Sequence, residues 1–168
     1  MTNYFHYSED ATIKRFEPRL SPSFPDEPPM VWAIDETHRP LYYFPRQCPR
    51  IAYWKGGGTT EQDVEAFQLN TRMVIVIEAD WFYRLEDVAL YQYTFSAQSF
   101  SCFDENAGYY TSRSIVEPRR VDRLNSLTKM LLNEGVELRL VPTLHKVKEE
   151  VLGSTLNFSM IRLRNARN

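Results

Sequence analysis

Arg72-Met73-Val74-Ile75-Val76-Ile77-Glu78-Ala79 carries five consecutive apolar residues, four of them β-branched, between charged ends. Side chains branched at Cβ lose rotamer freedom in a helix and pack well on a pleated surface. Both faces of the run are apolar and it is short, so it reads as a central strand covered on both sides. Other strand-like segments lie around it in the chain. Residues 3–8, Met30 to Asp35 and Arg50 to Trp54 precede it. Val88 to Phe95, Tyr109 to Val116, Val136 to Val141 and Thr155 to Leu163 follow.

Helical patterns fall between these strands. A short helix is expected over Arg39 to Phe44, capped by Asp35 or Thr37 and stopped by Pro45. Thr60 to Leu69 opens with Thr60 and Asp63 in capping-box-like spacing. Trp81 to Leu85 reads as a turn or short helix. Arg119 to Glu134 shows the most regular helical spacing, with Val121, Leu124, Leu127, Met130 and Leu131 at three- and four-residue steps and Gly135 as its stop. Leu144 to Leu152 reads as a further helix. Strands and helices interleave without regular βαβ units, which implies an α+β fold. The expectation is a single domain over residues 1–168, with a central mixed or antiparallel sheet, whole or split, and flanking helices.

Between the first two strands, residues 17–29 hold five of the ten prolines. Proline lacks a backbone donor and fixes φ, so this is a stiff, irregular segment. Gly56-Gly57-Gly58 reads as a turn. No Gly-Lys-Ser/Thr follows it, so it is not a phosphate loop.

Hydrophobic content of 43% supports a core without disulfide or metal staples. The aromatic share of 14% is high; it fits a core that uses aromatics, or a cleft lined in part by Tyr and Trp, which suit half-wet surfaces. Such a surface fits a cleft or a homo-oligomer interface equally well. No apolar run approaches the roughly 18 residues of a membrane span. No basic segment leads into an apolar one at the start, and Cys48 and Cys102 form no framework; a reducing cytoplasm is expected. The net charge of −2 argues against nucleic acid as the main partner. That average conceals an asymmetry. Residues 1–110 sum to −7 and residues 111–168 to +5; the opposite charges either attract each other within the fold or leave the C-terminal third a basic patch for phosphate.

Few residues carry a chemical signal. His6 lies within an aromatic strand and can offer a ring nitrogen to a ribose hydroxyl. Ser8 shares its face, because strand side chains repeat every two residues. Tyr42 and Tyr43, on the short helix after the second strand, can stack on a planar ring. Glu78, Glu105 and Glu117 lie near strand ends, where a carboxylate can stabilise a cationic sugar transition state. No spacing supports a Cys–His nucleophile pair or a metal centre. Arg119, Arg120 and Arg123 open the longest helical pattern, against the preference of a helix N-terminus for anions.

Phe5-His6-Tyr7-Ser8-Glu9, Phe16-Glu17-Pro18-Arg19, Val31-Trp32-Ala33-Ile34-Asp35 and Leu41-Tyr42-Tyr43-Phe44-Pro45-Arg46 together resemble a family of uncharacterised bacterial proteins of about this length. Gly108-Tyr109-Tyr110, Val116-Glu117-Pro118 and Phe158-Ser159-Met160-Ile161-Arg162 extend that resemblance over nearly the whole chain. More distantly, the layout is similar to the ADP-ribosyltransferase-like superfamily. There a histidine of the first strand binds a ribose of NAD, an aromatic after the second strand stacks on nicotinamide, and a glutamate near a later strand assists cleavage of the glycosidic bond. The resemblance implies that His6 holds the cofactor, that Tyr43 stacks, and that Glu105 is the catalytic carboxylate; Ser8 joins His6 as a cofactor contact because it shares its strand face. The chain departs from the pattern where that glutamate belongs. Ala107-Gly108-Tyr109-Tyr110 stands there, with Glu105 before it and Glu117 after.

Two functions follow as expectations. One is an NAD or nucleotide cleft that transfers ADP-ribose or cleaves the nicotinamide bond. The other is a noncatalytic binding module that uses the aromatic surface and the basic C-terminal third.

Overall fold

Met73–Glu78 is a strand buried at all six positions in the computed structural model, which describes residues 1–168. In chain order the elements are β1 (Asn3–Ser8), β2 (Val31–Ile34), β3 (Arg50–Trp54), α1 (Glu61–Ala66), β4 (Met73–Glu78), α2 (Phe82–Asp87), β5 (Leu90–Ser96), β6 (Ser101–Asp104), β7 (Tyr109–Ser112), β8 (Arg120–Leu124), α3 (Leu127–Asn133), β9 (Val136–Val141), α4 (His145–Leu152) and β10 (Asn157–Ile161). The fold is α+β, with its strands divided between two sheets. The chain forms two compact units, Met1–Arg39 with Ala89–Asn125 and Pro40–Val88 with Ser126–Asn168.

The first unit is built on six strands in the order β6-β7-β2-β1-β5-β8, every neighbouring pair antiparallel. One face is aromatic. Val31, Ala33, Tyr93, Phe95 and Val116 are buried there, with Tyr4, Ile13, Phe16, Tyr91 and Phe100 packed against them. The proline-rich segment adds no helix or strand. Backbone bonds pin the chain on either side of it, between Phe16 and Val116 and between Arg19 and Met30.

The second unit holds four strands in the order β10-β3-β4-β9. β4 pairs antiparallel with β3 and parallel with β9. Ile51, Tyr53, Val74, Val76, Leu144, Val151 and Leu156 form the core on one face. Met73, Ile75 and Ile77 alternate with these along β4 and are also buried, which gives the double cover that the unbroken apolar run implies. Thr60 caps α1 by accepting the Asp63 backbone N–H at 3.2 Å.

The expected helix over Arg119 to Glu134 is the main correction. Arg120–Leu124 is an edge strand paired with β5, with Val121 opposite Tyr93 and Arg123 opposite Tyr91. The helix spans only Leu127–Asn133, after Ser126 in a left-handed conformation at φ 56°. Val121 is thus a strand residue, and its helical spacing to Leu124 and Leu127 is coincidental. Arg120 and Arg123, which would have opposed a helix N-terminus, lie exposed in the strand, and Arg119 precedes it. The Arg39–Tyr42 turn is a 3-10 helix and shorter than expected, β7 ends at Ser112, and β6 pairs with β7 where no strand was expected.

Candidate functional site

β1 lies inside the six-stranded sheet, between β2 and β5. Phe5 pairs with Ile34 of β2. One residue on, the His6 ring takes a backbone carbonyl: its Nδ1 lies 3.1 Å from the Trp32 oxygen. A carbonyl only accepts, so Nδ1 must carry the proton. In the neutral ring the lone pair is then on Nε2, and the imidazole has an acceptor of fixed direction. The ring is half-buried, edge-on to Phe16 at 4.8 Å between centroids, and Tyr93 stands opposite it on β5. Ser8 is half-buried on the same face, and its Oγ accepts the Asp10 backbone N–H at 3.1 Å.

A cavity of about 410 Å³ opens beside the start of β1, lined by Asn3, Tyr4, Phe5, Asp35, Thr37 and Tyr110 among others. Tyr4 and Tyr110 stack there, with ring centroids 3.9 Å apart. Burial, reinforced by the Tyr4 phenol, pushes the Tyr110 hydroxyl up to about 12, so it stays a neutral hydrogen-bonding group. Asp35 reaches from the cavity wall to His38. Its Oδ1 accepts the His38 backbone N–H at 2.7 Å, and His38 Nδ1 lies 2.8 and 3.0 Å from the two carboxylate oxygens. A carboxylate that fixes the Nδ1–H of an imidazole is the arrangement that orients a general base. Sequence reading did not single out this pair. Its signal is the Asp-x-x-His spacing, which lets an aspartate turn place the ring, with Gly108 leaving the room it needs.

The four anticipated site residues divide between the units. His6, Ser8 and Glu105 belong to the first and Tyr43 to the second. Glu105 is exposed in the four-residue turn that joins β6 to β7. Tyr43 has no exposure to solvent, and its hydroxyl donates to Glu134 Oε1 at 2.5 Å. In this structure the ring is a core side chain. Of the other carboxylates considered, Glu78 is buried and Oε1 receives the backbone N–H groups of Leu144 and Arg167 at 3.3 and 3.0 Å. That arrangement is structural.

Asp35 of the Asp–His pair lines the cavity, whereas His6, Ser8, Tyr43 and Glu105 do not. The sequence signature of a family described as a family of unknown function (DUF6886) matches residues 5–166, and the chain belongs to that family. No curated protein and no solved structure matches it.

Proposed function

We propose that this protein binds NAD or a related nucleotide, with Nε2 of His6 accepting a hydrogen bond from a ribose hydroxyl. The observation that carries the reading is the bond from His6 Nδ1–H to the Trp32 carbonyl. A strand histidine satisfied by a backbone carbonyl also serves packing, and the same bond selects one tautomer. This one is held in the form that presents an acceptor. Ser8, on the same face, supplies a hydroxyl to the same ligand. Glu105 is the carboxylate of the catalytic version. It would face the cationic ribose as the bond to nicotinamide breaks, nicotinamide leaving with the electron pair and water or an acceptor oxygen adding at the anomeric carbon. Tyr43 is a core side chain of the second unit, so the reading rests on His6.

Thermal unfolding with and without millimolar NAD tests it. A ligand that binds only the folded state at a hundredfold excess over Kd adds about 2.7 kcal/mol. The wild-type midpoint should rise with NAD, and His6→Ala should lose that rise, each protein being compared with its own ligand-free state. A midpoint that NAD does not move at saturation would retire His6 as a ligand residue. It would favour the noncatalytic module that uses the aromatic surface and the basic C-terminal third.

A further inference from the structure

Each sheet ends in two edge strands, β6 and β8 in the first unit, β10 and β9 in the second. An edge offers unpaired N–H and C=O groups to any other strand, and folded proteins guard it with charge, proline or a bulge. Three of these edges are guarded. β8 carries Arg120, Asp122 and Arg123, and β9 carries Glu137 and Arg139. β6 carries Asp104 and a register shift between Cys102 and Asp104.

β10 has no such guard. It reads Asn157-Phe158-Ser159-Met160-Ile161, without charge or proline, and it pairs with β3 along its whole length without a shift. Phe158 is 42% exposed opposite Tyr53, and the other residues of the strand are half-buried. The chain does not return along the open side. Arg162, directly after the strand, is left-handed at φ 56° and ψ 29°, and Asn165 is then fastened to the segment before β3, its Nδ2 donating to the Gln47 carbonyl at 2.8 Å. No strand of the sheet pairs with β10 on the side away from β3.

The strand is complementary to itself. An antiparallel pair of β10 strands with Ser159 on the two-fold axis matches every residue of both. It sets Phe158 of each copy opposite Met160 of the other, and Asn157 opposite Ile161. Phe158 and Met160 lie on one face, because strand side chains repeat every two residues. An aromatic ring therefore meets a thioether twice, a favourable cross-strand contact. Like charges stay apart: in this register Arg162 falls opposite Leu156 of the other copy, and the two Arg162 residues are roughly 20 Å apart along the strands at about 3.4 Å per residue. Opposite charges come closer. Next to Leu156 is Thr155, whose backbone N–H is held by the Asp63 carboxylate at 2.7 Å, so the basic end of one strand approaches an acidic group at the start of the other. Pairing the two edges uses up both, and the assembly closes at a dimer.

We propose that β10 is a self-association edge. Two copies of this chain pair antiparallel through Asn157–Ile161 and join the four-stranded sheets of their second units into one continuous sheet. The interface does not depend on His6.

Sedimentation equilibrium of the full chain, from micromolar to millimolar protein, tests the proposal. One strand pair buries less than the roughly 1,200 Å² of a standard interface, so a reversible dimer with a micromolar Kd is expected. Phe158→Lys places a charge on the edge from an exposed position. It should weaken the dimer by at least about tenfold, with the unfolding midpoint of the wild type when both are dilute. Hydrogen exchange on the wild type locates the contact without a variant. Amides of residues 157–161 that face away from β3 should gain protection as concentration rises, and those of residues 136–141 should not. His6→Ala should dimerise as the wild type does, which separates this interface from the His6 reading. The proposal is overturned if the folded protein stays monomeric at millimolar concentration. It is overturned equally if folded Phe158→Lys dimerises as the wild type does, or if the concentration-dependent protection falls on residues 101–104 or 120–124. Growth beyond the dimer would show an open, head-to-tail contact instead.

Discussion

Tyr43 donates its phenol proton to the Glu134 carboxylate over 2.5 Å, from a ring with no exposure to solvent. Glu134 closes the end of α3, and the same residue takes Arg72 twice, Nε on its carbonyl at 2.6 Å and Nη2 beside its carboxylate at 3.5 Å. One residue thus joins the 3-10 turn after β2, the approach to β4 and the end of α3. A hydrogen bond to a charged acceptor is worth about 1.5–3 kcal/mol. Tyr43→Phe keeps the ring and its packing and removes only that bond. It should lower stability by about that amount in urea unfolding, with an unchanged slope. An unchanged midpoint would mean that the Tyr43–Glu134 bond contributes nothing net.

Gly108 stands over the Asp35–His38 pair. Its φ is +73°, its carbonyl accepts the Asp35 backbone N–H at 3.0 Å, and a β-carbon added there would meet Asp35 Oδ1 at 2.8 Å and collide with the His38 ring. Gly108→Ala therefore adds both backbone strain and a clash. A cost of roughly 1–3 kcal/mol is expected from the backbone alone. Gly57→Ala is the control, since the space around it is open and its φ is ordinary. It should change stability by less than about 1 kcal/mol, with a gain as the expected sign. Equal effects at the two positions would show that the Asp35–His38 geometry does not constrain residue 108.

The two cysteines are free, Cys48 buried and Cys102 exposed. Burial raises the Cys48 thiol from its ordinary value of 9.0 to about 12, against a smaller opposing pull from Arg50. Thiolate is the reactive form, so a thiol reagent at neutral pH should modify one cysteine in the native protein and two in denaturant. The same shift predicts a pH effect. Between about 9 and 12 the unfolded chain releases the Cys48 proton and the folded chain keeps it. Stability from this group is therefore complete below pH 9 and falls as pH rises towards 12. Cys48→Ala should flatten that part of the profile, and an identical slope in wild type and variant would remove Cys48 as its cause.

Most of the fold was legible because its central strands have unambiguous patterns. Met73 to Ile77 is apolar without interruption and is buried at every position; Arg50 to Trp54 and Val136 to Val141 also form strands within the limits their sequences suggest. The edges were harder. β6 reads Ser-Cys-Phe-Asp and is mostly exposed, so it carries no alternating apolar face to recognise. The His6 tautomer was also out of reach, because it depends on a carbonyl 26 residues away. Tyr43 looked like a stacking residue because an aromatic on a short helix gives no sign of which way it faces. Its partner Glu134 lies 91 residues later.

The segment 119–134 shows how a helical spacing can mislead, and it yields the sharpest test of the architecture. Val121 and Leu127 both fit one apolar stripe of a helix, and on that basis both would be core residues. In the structure Val121 is 40% exposed on the edge strand β8, whereas Leu127, in the first turn of α3, is 2% exposed. Burial decides the cost of truncation. Leu127→Ala should destabilise by about 2–5 kcal/mol, the usual range for a leucine removed from a packed core. Val121→Ala removes two methyl groups from a half-wet surface and should cost well under about 1 kcal/mol. Val121→Pro separates the two architectures further. In the interior of one long helix a proline would cost about 3 kcal/mol or more. On an edge strand the loss depends on whether that residue's N–H faces the neighbour, and hydrogen exchange at residues 120–124 and 127–133 reports it directly. Helical protection running unbroken from 120 to 133 would refute the strand. Two separate sets of protected amides are expected, divided by fast exchange at Asn125 and Ser126, where the backbone turns left-handed between β8 and α3.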